Sequence, residues 1–395
     1  MEATALELFA FACVGAVIYS YAIYPLFLTL IAANVQVVRD ARYVFKKLER
    51  RSLPTQELPS VAVIIAAYNE ERHITARIEN LLTIDYPAEL IRIYIGSDGS
   101  KDGTNALLKS ISDPRVHAIV FEQNRGKASV LNDLVAMAEA PILVFSDANT
   151  MFEKSALRRL VAPFGNADTG AVSVELRLEK SGGDNQDSLY WRVEQYLKFF
   201  EARIGGLLGA NGAIYAIRST LWSPLRPDTI CDDFRIAMHV ATTGHTLVYE
   251  PTAWASEETP DSIHDEFLRR VRIGIGNFQE LVRHPEYFFR TSWATRFTYL
   301  SHKVLRWLSP HLLIAALLAS AVLSSQSSFW KVLLAIQLTG YFFSWILYRR
   351  NKAGYSVPSP LRIPLFLFAL NWALLIASIR YATGQYRGVW RRTRR

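Results

Sequence analysis

The chain has 395 residues, half of them hydrophobic, and its 44 Lys and Arg against 36 Asp and Glu give a net charge of +8. That length leaves room for one sizeable domain and something beyond it. With only Cys13 and Cys231 present, a disulfide framework and a cysteine zinc site are both excluded.

The hydrophobic excess is uneven. From Leu8 to Ala33 there is no charged residue, long enough for one helix to cross a bilayer. Acidic Glu2 and Glu7 ahead of so long a run argue against a cleaved signal peptide, so residues 1–35 are expected to form a transmembrane helix. Val35–Arg51 mixes apolar and basic residues at helical spacing, and 36–58 is read as a basic segment along the membrane surface. Positive charge gathers there (Arg39, Arg42, Lys46, Lys47, Arg50, Arg51) and again in the tail (Arg387, Arg391, Arg392, Arg394, Arg395). Such clusters fit the positive-inside bias and attraction to anionic membrane lipids, and no nucleic-acid partner is expected. They put a soluble domain, residues 59–290, in the cytosol.

Within that domain, four apolar stretches rich in β-branched residues are Val61–Ala67, Ile91–Ser97, Val116–Glu122 and Ile142–Ser146. The segments between them have helical spacing, which predicts parallel strands joined by crossover helices. A helix is then expected at Ser155–Phe164, a strand at Gly170–Arg177 and a long amphipathic helix at Asp187–Ile204. Short strands follow at Ala213–Ile217 and Thr246–Tyr249, flanking a helix that starts at Asp232-Asp233. His264–Phe278 reads as a helix ending near Gly274 and Gly276. Residues 291–308 are aromatic and basic, as at a headgroup layer. Three further candidate spans, Leu308–Leu323, Val332–Leu347 and Ile363–Ile379, fill 309–380 ahead of the basic tail 381–395. One span before the domain and three after it would put that tail outside, against the bias that places the domain inside. Either one late segment lies in the interface or the tail is an exception.

Parallel sheets bind ligands at the carboxyl ends of their strands, and polar groups sit at three such ends: Tyr68-Asn69-Glu70, Ser97-Asp98-Gly99-Ser100 and Asp147-Ala148-Asn149. Asp98 is a turn and cap residue or a ligand to a base or ribose. Lys127, opening a helix in Asn124-Arg125-Gly126-Lys127, is a solvated charge or a phosphate contact. It is not part of a Walker loop, since Phe121 stands five before Gly126. Asp147 and Asn149, two apart in extended chain, share a face and suit Mg2+ or Mn2+ held with a diphosphate, or else they start a helix. One carboxylate of Asp232-Asp233 serves as a cap, but two suggest a general base. Arg269 and Arg272 share a helix face and could steady a departing diphosphate, or lie on a basic interfacial helix. Gly274-Ile275-Gly276 lacks the third glycine of a dinucleotide fingerprint.

The ordered set AAYNEE, SDGS, NRGK, SDAN, GANGAIYAIR, DDF and RRVRIG resembles the family-2 membrane glycosyltransferases, which include the cellulose, chitin and hyaluronan synthases. The resemblance runs from about Val61 to Asn277. It implies an α/β fold, with a nucleotide-diphospho-sugar transferase (GT-A-like) domain inserted between transmembrane helices. It implies that Ala67, Tyr68, Glu70, Asp98, Lys127 and Asp147 bind a nucleotide-sugar donor, UDP-linked by expectation, with Asp147 on the metal. Gly209, Asn211 and Gly212 would line the acceptor site for a glycan or lipid-linked acceptor. Asp233 would be the catalytic base, with Asp232 beside it and Arg272 near the diphosphate.

Four departures stand out. Asn149 replaces the last aspartate of the metal motif, Asp232 replaces a glutamate, Arg269 stands for a glutamine, and Ile273 stands where polymerising members have an acceptor-stacking tryptophan. The reading is an inverting glycosyltransferase of exopolysaccharide or cell-surface glycan synthesis, integral to a bacterial inner membrane. Its rivals are single-sugar transfer to a polyprenyl phosphate and a non-catalytic nucleotide-sugar sensor; a solute transporter is disfavoured by few spans with little internal charge.

Overall fold

The computed structural model describes residues 2–46, 57–179, 187–258, 263–352, 354–355 and 357–386. Lys47, Arg50, Arg51 and the arginines from Arg387 onward lie outside the described residues. Eight strands, β1 (Val61–Ala67), β2 (Ile91–Asp98), β3 (Val116–Phe121), β4 (Ile142–Asp147), β5 (Met151–Phe152), β6 (Thr169–Glu179), β7 (Ile214–Arg218) and β8 (Thr246–Glu258), form one sheet in the order β3-β2-β1-β4-β7-β6-β8-β5. The helices are α1 (Glu2–Ile18), α2 (Tyr24–Lys46), α3 (Ile74–Leu82), α4 (Thr104–Lys109), α5 (Lys127–Met137), α6 (Ala156–Val161), α7 (Asp187–Arg203), α8 (Asp232–Thr242), α9 (Ile263–Arg283), α10 (Trp293–Thr298), α11 (Leu305–Leu323), α12 (Ser328–Lys352) and α13 (Arg362–Ala382).

The first four strands are parallel, as their sequence predicts. A strand covered on both faces needs apolar residues at every position, and all seven residues of β1 are buried. Val61, Val63, Ile65 and Ala67 pack into the layer that includes α3 and α6, while Ala62, Ile64 and Ala66 face α5 and α8. The register then aligns the strand ends: Ala67 pairs with Ser97, and Ala66 with Asp147. Beyond β4 the sheet is mixed: β7 runs antiparallel to both β4 and β6, with Ser146 paired to Ile214, while β8 pairs in parallel with β6. That reversal carries the Gly209–Gly212 loop to the edge where β1, β2 and β4 stop.

Several elements differ from expectation. β8 runs to Glu258 rather than Tyr249, because it pairs along β6 through a register shift between Val174 and Glu175. The helix expected to end near Gly274 and Gly276 continues to Arg283. Helix-breaking glycines are tolerated there because each lets another segment approach. A Cβ at Gly274 would meet the Ala377 side chain at 2.7 Å, and one at Gly276 would meet the Cys231 sulfur at 2.4 Å. Two residues apart on a helix is roughly 200° of rotation, so α9 is held between two neighbours on opposite faces.

Four helical stretches among the described residues are long and apolar enough to cross a membrane: Ala5–Phe45, Trp293–Leu323, Ser328–Lys352 and Arg362–Ala382. The first joins α1 and α2 through a π-turn at Tyr19–Ile23, and α10 joins α11 through another at Tyr299–Val304. At the end far from the domain, Trp330 donates to Glu7 at 3.1 Å, and Ala10, Ala319, Leu323 and Trp330 cluster. At the domain end, Tyr24 donates to Glu201 of α7 at 2.8 Å.

Candidate active site

The loop after β4 and the start of α5 meet at Lys127. Its ammonium lies 2.8 Å from Asp147 and 3.1 Å from Asp232. Burial opposes its charge, but Asp147 and Asp232 together outweigh that and hold the amine protonated well above its ordinary range. Asp232 and Asp233 occupy the first turn of α8, where the helix dipole favours anions. Burial and the adjacent Asp232 nevertheless push Asp233 up to about 6, with Lys127 opposing. Gly212 fits between two acids: a Cβ there would lie 3.3 Å from Asp233 Oδ2 and 3.8 Å from Asp147 Oδ2. Asp147, Asp232, Asp233, Lys127 and Gly212 therefore line one space. Gly209, at φ +69°, adopts the left-handed conformation glycine favours and abuts Phe234. Asn211 lies half-buried between the two glycines.

Asp98 serves that space indirectly. It is fully buried, and its two oxygens accept the backbone N–H groups of Arg125 and Gly126 at 2.8 and 2.9 Å. Such charge-assisted bonds fix the loop that delivers Lys127. Gly99, at φ +66°, interlocks with it, since a Cβ would sit 2.6 Å from the Asn124 backbone nitrogen. On β1, Ala67 is buried in the sheet and Tyr68 half-buried beyond it. Asn69 takes φ +56°, its N–H donating to Ser100 and its side-chain oxygen accepting from Lys101. The Glu70 carboxylate lies 3.0 Å from His73 Nδ1, and the Glu70 N–H donates to Thr104.

Asn149 is turned elsewhere. β4 stops at Asp147, so strand alternation no longer applies two residues on, and the Asn149 amide donates to Glu257 at 2.9 Å. Among the described residues no group of three or more His, Cys, Asp or Glu is spaced to hold a metal ion by itself. The donor set still suits a hard cation in part. Asp147 Oδ1 accepts from Lys127 and Oδ2 would lie 3.8 Å from a Cβ at Gly212, so Asp147 borders this space and further oxygen ligands would come from a bound diphosphate.

Arg272 extends from α9. Burial lowers its pKa, while Asp232 and Asp147 favour its charge; it makes no ion pair with either. Its helix is pinned to the loop before α8: Gln279 donates to the Asp228 carbonyl and accepts from Ile230 N–H, and Arg283 pairs with Asp228 at 2.6 Å. Ile273 is partly exposed, and its carbonyl accepts from Cys231 at 3.6 Å.

Three residues escaped the sequence reading. Arg77, on α3, is fully buried behind Asp147; it donates to Ser146 at 2.9 Å and lies 4.0 Å over the Phe152 ring. Tyr215 stacks on Phe145 and buries a hydroxyl with no hydrogen-bond partner; burial and the nearby Asp232, Asp233 and Asp147 keep it protonated. Lys198, on α7, makes no hydrogen bond or ion pair among the described residues. Burial and Lys303 lower its pKa, whereas Glu194 and Asp233 favour its charge. None has a local signal, since each becomes meaningful only through contacts distant in sequence.

Residues 62–218 match the family described as Glycosyl transferase family 2. A poly-beta-1,6-N-acetyl-D-glucosamine synthase of Staphylococcus aureus is 25% identical over 289 residues, covering 69% of this chain and 68% of the relative. Its namesake from Staphylococcus epidermidis is 23% identical over 270 residues, covering 66% and 65%. Among solved structures, the mannosyltransferase PcManGT from Pyrobaculum calidifontis, in complex with GDP-Man and Mn2+, superposes with a TM-score of 0.70 at 20% identity, covering 96% of this chain and all of that one. The likeness in fold extends beyond the sheet to the flanking apolar helices. The mixed sheet is thus a GT-A-like domain, and the protein is a glycosyltransferase with a glycosyl transferase family 2 domain set between apolar helices of membrane-spanning length.

Proposed function

We propose that this glycosyltransferase moves a sugar, with inversion, from a nucleotide-diphosphate sugar to a hydroxyl of a glycan acceptor on the cytosolic face of a bacterial plasma membrane. The observation that carries the reading is Asp233 facing Asp147 across Gly212, with Lys127 clamped between Asp147 and Asp232. Asp233 takes the acceptor proton; the freed oxygen attacks the anomeric carbon from the face opposite the diphosphate. A base with its pKa raised toward neutrality is both deprotonated at working pH and strong enough to accept that proton. Lys127 and Arg272 supply positive charge where the leaving diphosphate gains negative charge. The Asp98-bound loop and the ends of β1 and β2 hold the nucleotide. Asp147 would carry the divalent cation, Mg2+ or Mn2+, which when bound neutralises diphosphate charge as a Lewis acid. The match to poly-beta-1,6-N-acetyl-D-glucosamine synthases supports an exopolysaccharide product.

The test is Asp233→Asn in detergent-purified protein, with transfer from labelled UDP-sugars and donor binding measured together. Transfer should fall about a thousandfold while donor affinity stays within about threefold. Turnover that survives the change removes Asp233 as the base.

One observation favours a second acceptor class. Lys198, with no fixed partner and within electrostatic reach of Asp233, suits the phosphate of a polyprenyl-phosphate acceptor. Such an acceptor is already anionic and needs no base, so Asp233→Asn would be mild while Lys198→Met would be severe.

A further inference from the structure

α13 has the length and apolarity of a membrane span, and its neighbours show why that reading is incomplete. The hydrogen bonds that join it to α11 lie in the first turns of that helix. Ser309 hydrogen-bonds Asn371, His311 lies 3.0 Å from Ser378, and Leu370 and Leu374 join the Trp307 and Leu308 cluster. From Asn371 to Ser378, α13 advances seven residues, about 10 Å, while α11 advances two, about 3 Å. Helices running side by side advance together, so α13 crosses the foot of α11 steeply.

Its long partner is α9. Arg270 lies 4.8 Å over Phe366, Val271, Ile275 and Phe278 pack with Ala373 and Ala377, and Arg283 donates to the Tyr386 hydroxyl at 3.0 Å. Both ends of α13 therefore stay beside the catalytic domain. At its start, Tyr348 near the end of α12 lies 6.1 Å from both Phe368 and Phe267. The cluster at the far end of the spans draws on α1, α11 and α12, with no described residue of α13.

We infer that α13 lies in the plane of the membrane, between α9 and the headgroup–acyl boundary, and that the chain crosses the bilayer three times, through α1, α11 and α12. The face of α13 opposite α9 carries Trp372 and Ile379, 45% and 56% exposed; a lipid surface covers it. Protein on one side and lipid on the other require an apolar helix all round, the same composition a span has. The arrangement also gathers the basic residues. Arg39 and Arg42 of α2 and Arg349, Arg350 and Lys352 of α12 fall on the domain side, with Glu7 opposite, as the positive-inside bias requires.

Single cysteines at Lys154, Ser325 and Gln385, in protein with Cys13 and Cys231 replaced by serine, test this in sealed vesicles of known orientation with a membrane-impermeant maleimide. Gln385→Cys should label from the same side as the domain reference Lys154→Cys and opposite to Ser325→Cys. Spin labels at Trp372 and Ile379 should report equal depth near the headgroups. Labelling of Gln385→Cys from the Ser325 side, or depths differing by the ~10 Å a span imposes over seven residues, overturns the proposal. Neither readout depends on turnover, so the outcome stands apart from the assignment of Asp233.

Discussion

Two clusters of charge lie near the junction of domain and membrane helices, and they are built to opposite ends. In one, Glu194 and Glu201 of α7 meet Lys303 and Arg306, with His302 between: 2.6 Å to Glu201 and 3.1 Å to Glu194. Lys198 of α7 adds a further buried amine beside them. In the other, Asp147 and Asp232 pair with Lys127, Asp233 lies next to them, and Arg77 and Arg272 stand within electrostatic reach; three acids converge there on Gly212. The first cluster is a joint, locking α7 to the root of α11. The second is the proposed site, where the acids border Gly212 rather than tie two elements together. What the charged groups face separates the two where residue type does not.

Changes in each cluster should therefore read out differently. The largest effect belongs to Asp233→Asn, whose thousandfold loss of transfer is worth ~4 kcal/mol of barrier. The same variant should melt higher at pH 7 by a few degrees. With the Asp233 pKa raised to about 6 in the folded state, folding takes up a proton between the ordinary carboxylate range and pH 6. Stability from that group is present at acid pH and lost as pH rises, and the neutral amide escapes the loss. Wild-type transfer should in turn fall as pH drops below about 6 and the base becomes protonated, with the acid limb absent from the residual activity of Asp233→Asn.

Glu194→Gln breaks the joint instead. Lys303 and Arg306 lose their buried counter-charge, which costs about 3 kcal/mol of stability, read as a lower unfolding midpoint in detergent with kcat of the folded fraction little changed. A large kcat loss at unchanged stability would move Glu194 into the site. Lys127→Ala comes next: removing the cation that pairs with Asp147 and Asp232 should lower kcat/KM for the donor about a hundredfold, and should lower the unfolding midpoint as well, because two carboxylates lose their counter-charge. Smallest is Gly276→Ala on α9. The added methyl collides with Cys231, and overpacking of this kind costs about 1–3 kcal/mol. Because Cys231 immediately precedes the acid pair, kcat should fall about tenfold while donor affinity holds.

How far the site could be read in advance varied with the residue. The ends of β1, β2 and β4 were legible because β-branched runs buried on both faces fix strand and register, and the register aligns Ala66, Ala67, Ser97 and Asp147. Asp98 was legible as important but not in its role: its partners are backbone amides 27 and 28 residues away, not an open pocket. Asn149 followed strand periodicity one step too far, past the point where β4 stops. Gly274 and Gly276 read as a helix end, and their function as contact points on opposite faces of α9 depends on Ala377 and Cys231, about 100 and 45 residues distant in the chain. Arg77 and Tyr215 gave no local cue, since a buried cation on an outwardly polar helix and a tyrosine in an apolar strand look ordinary until the fold surrounds them.

Amino-acid order by itself settled the parallel half of the sheet, the polar strand ends and the number of apolar helices long enough to span. These follow from periodicity and length, which are properties of neighbouring residues. Only the tertiary structure decided that Lys127, Asp147, Asp232 and Asp233 share one space, and that α13 runs along α9 and across α11. The physical reason is the same for both. Charge pairing and helix direction are set by groups distant in the chain, and burial of apolar surface has no direction of its own. An apolar helix is satisfied equally by lipid and by protein, so its course is fixed by what packs against it.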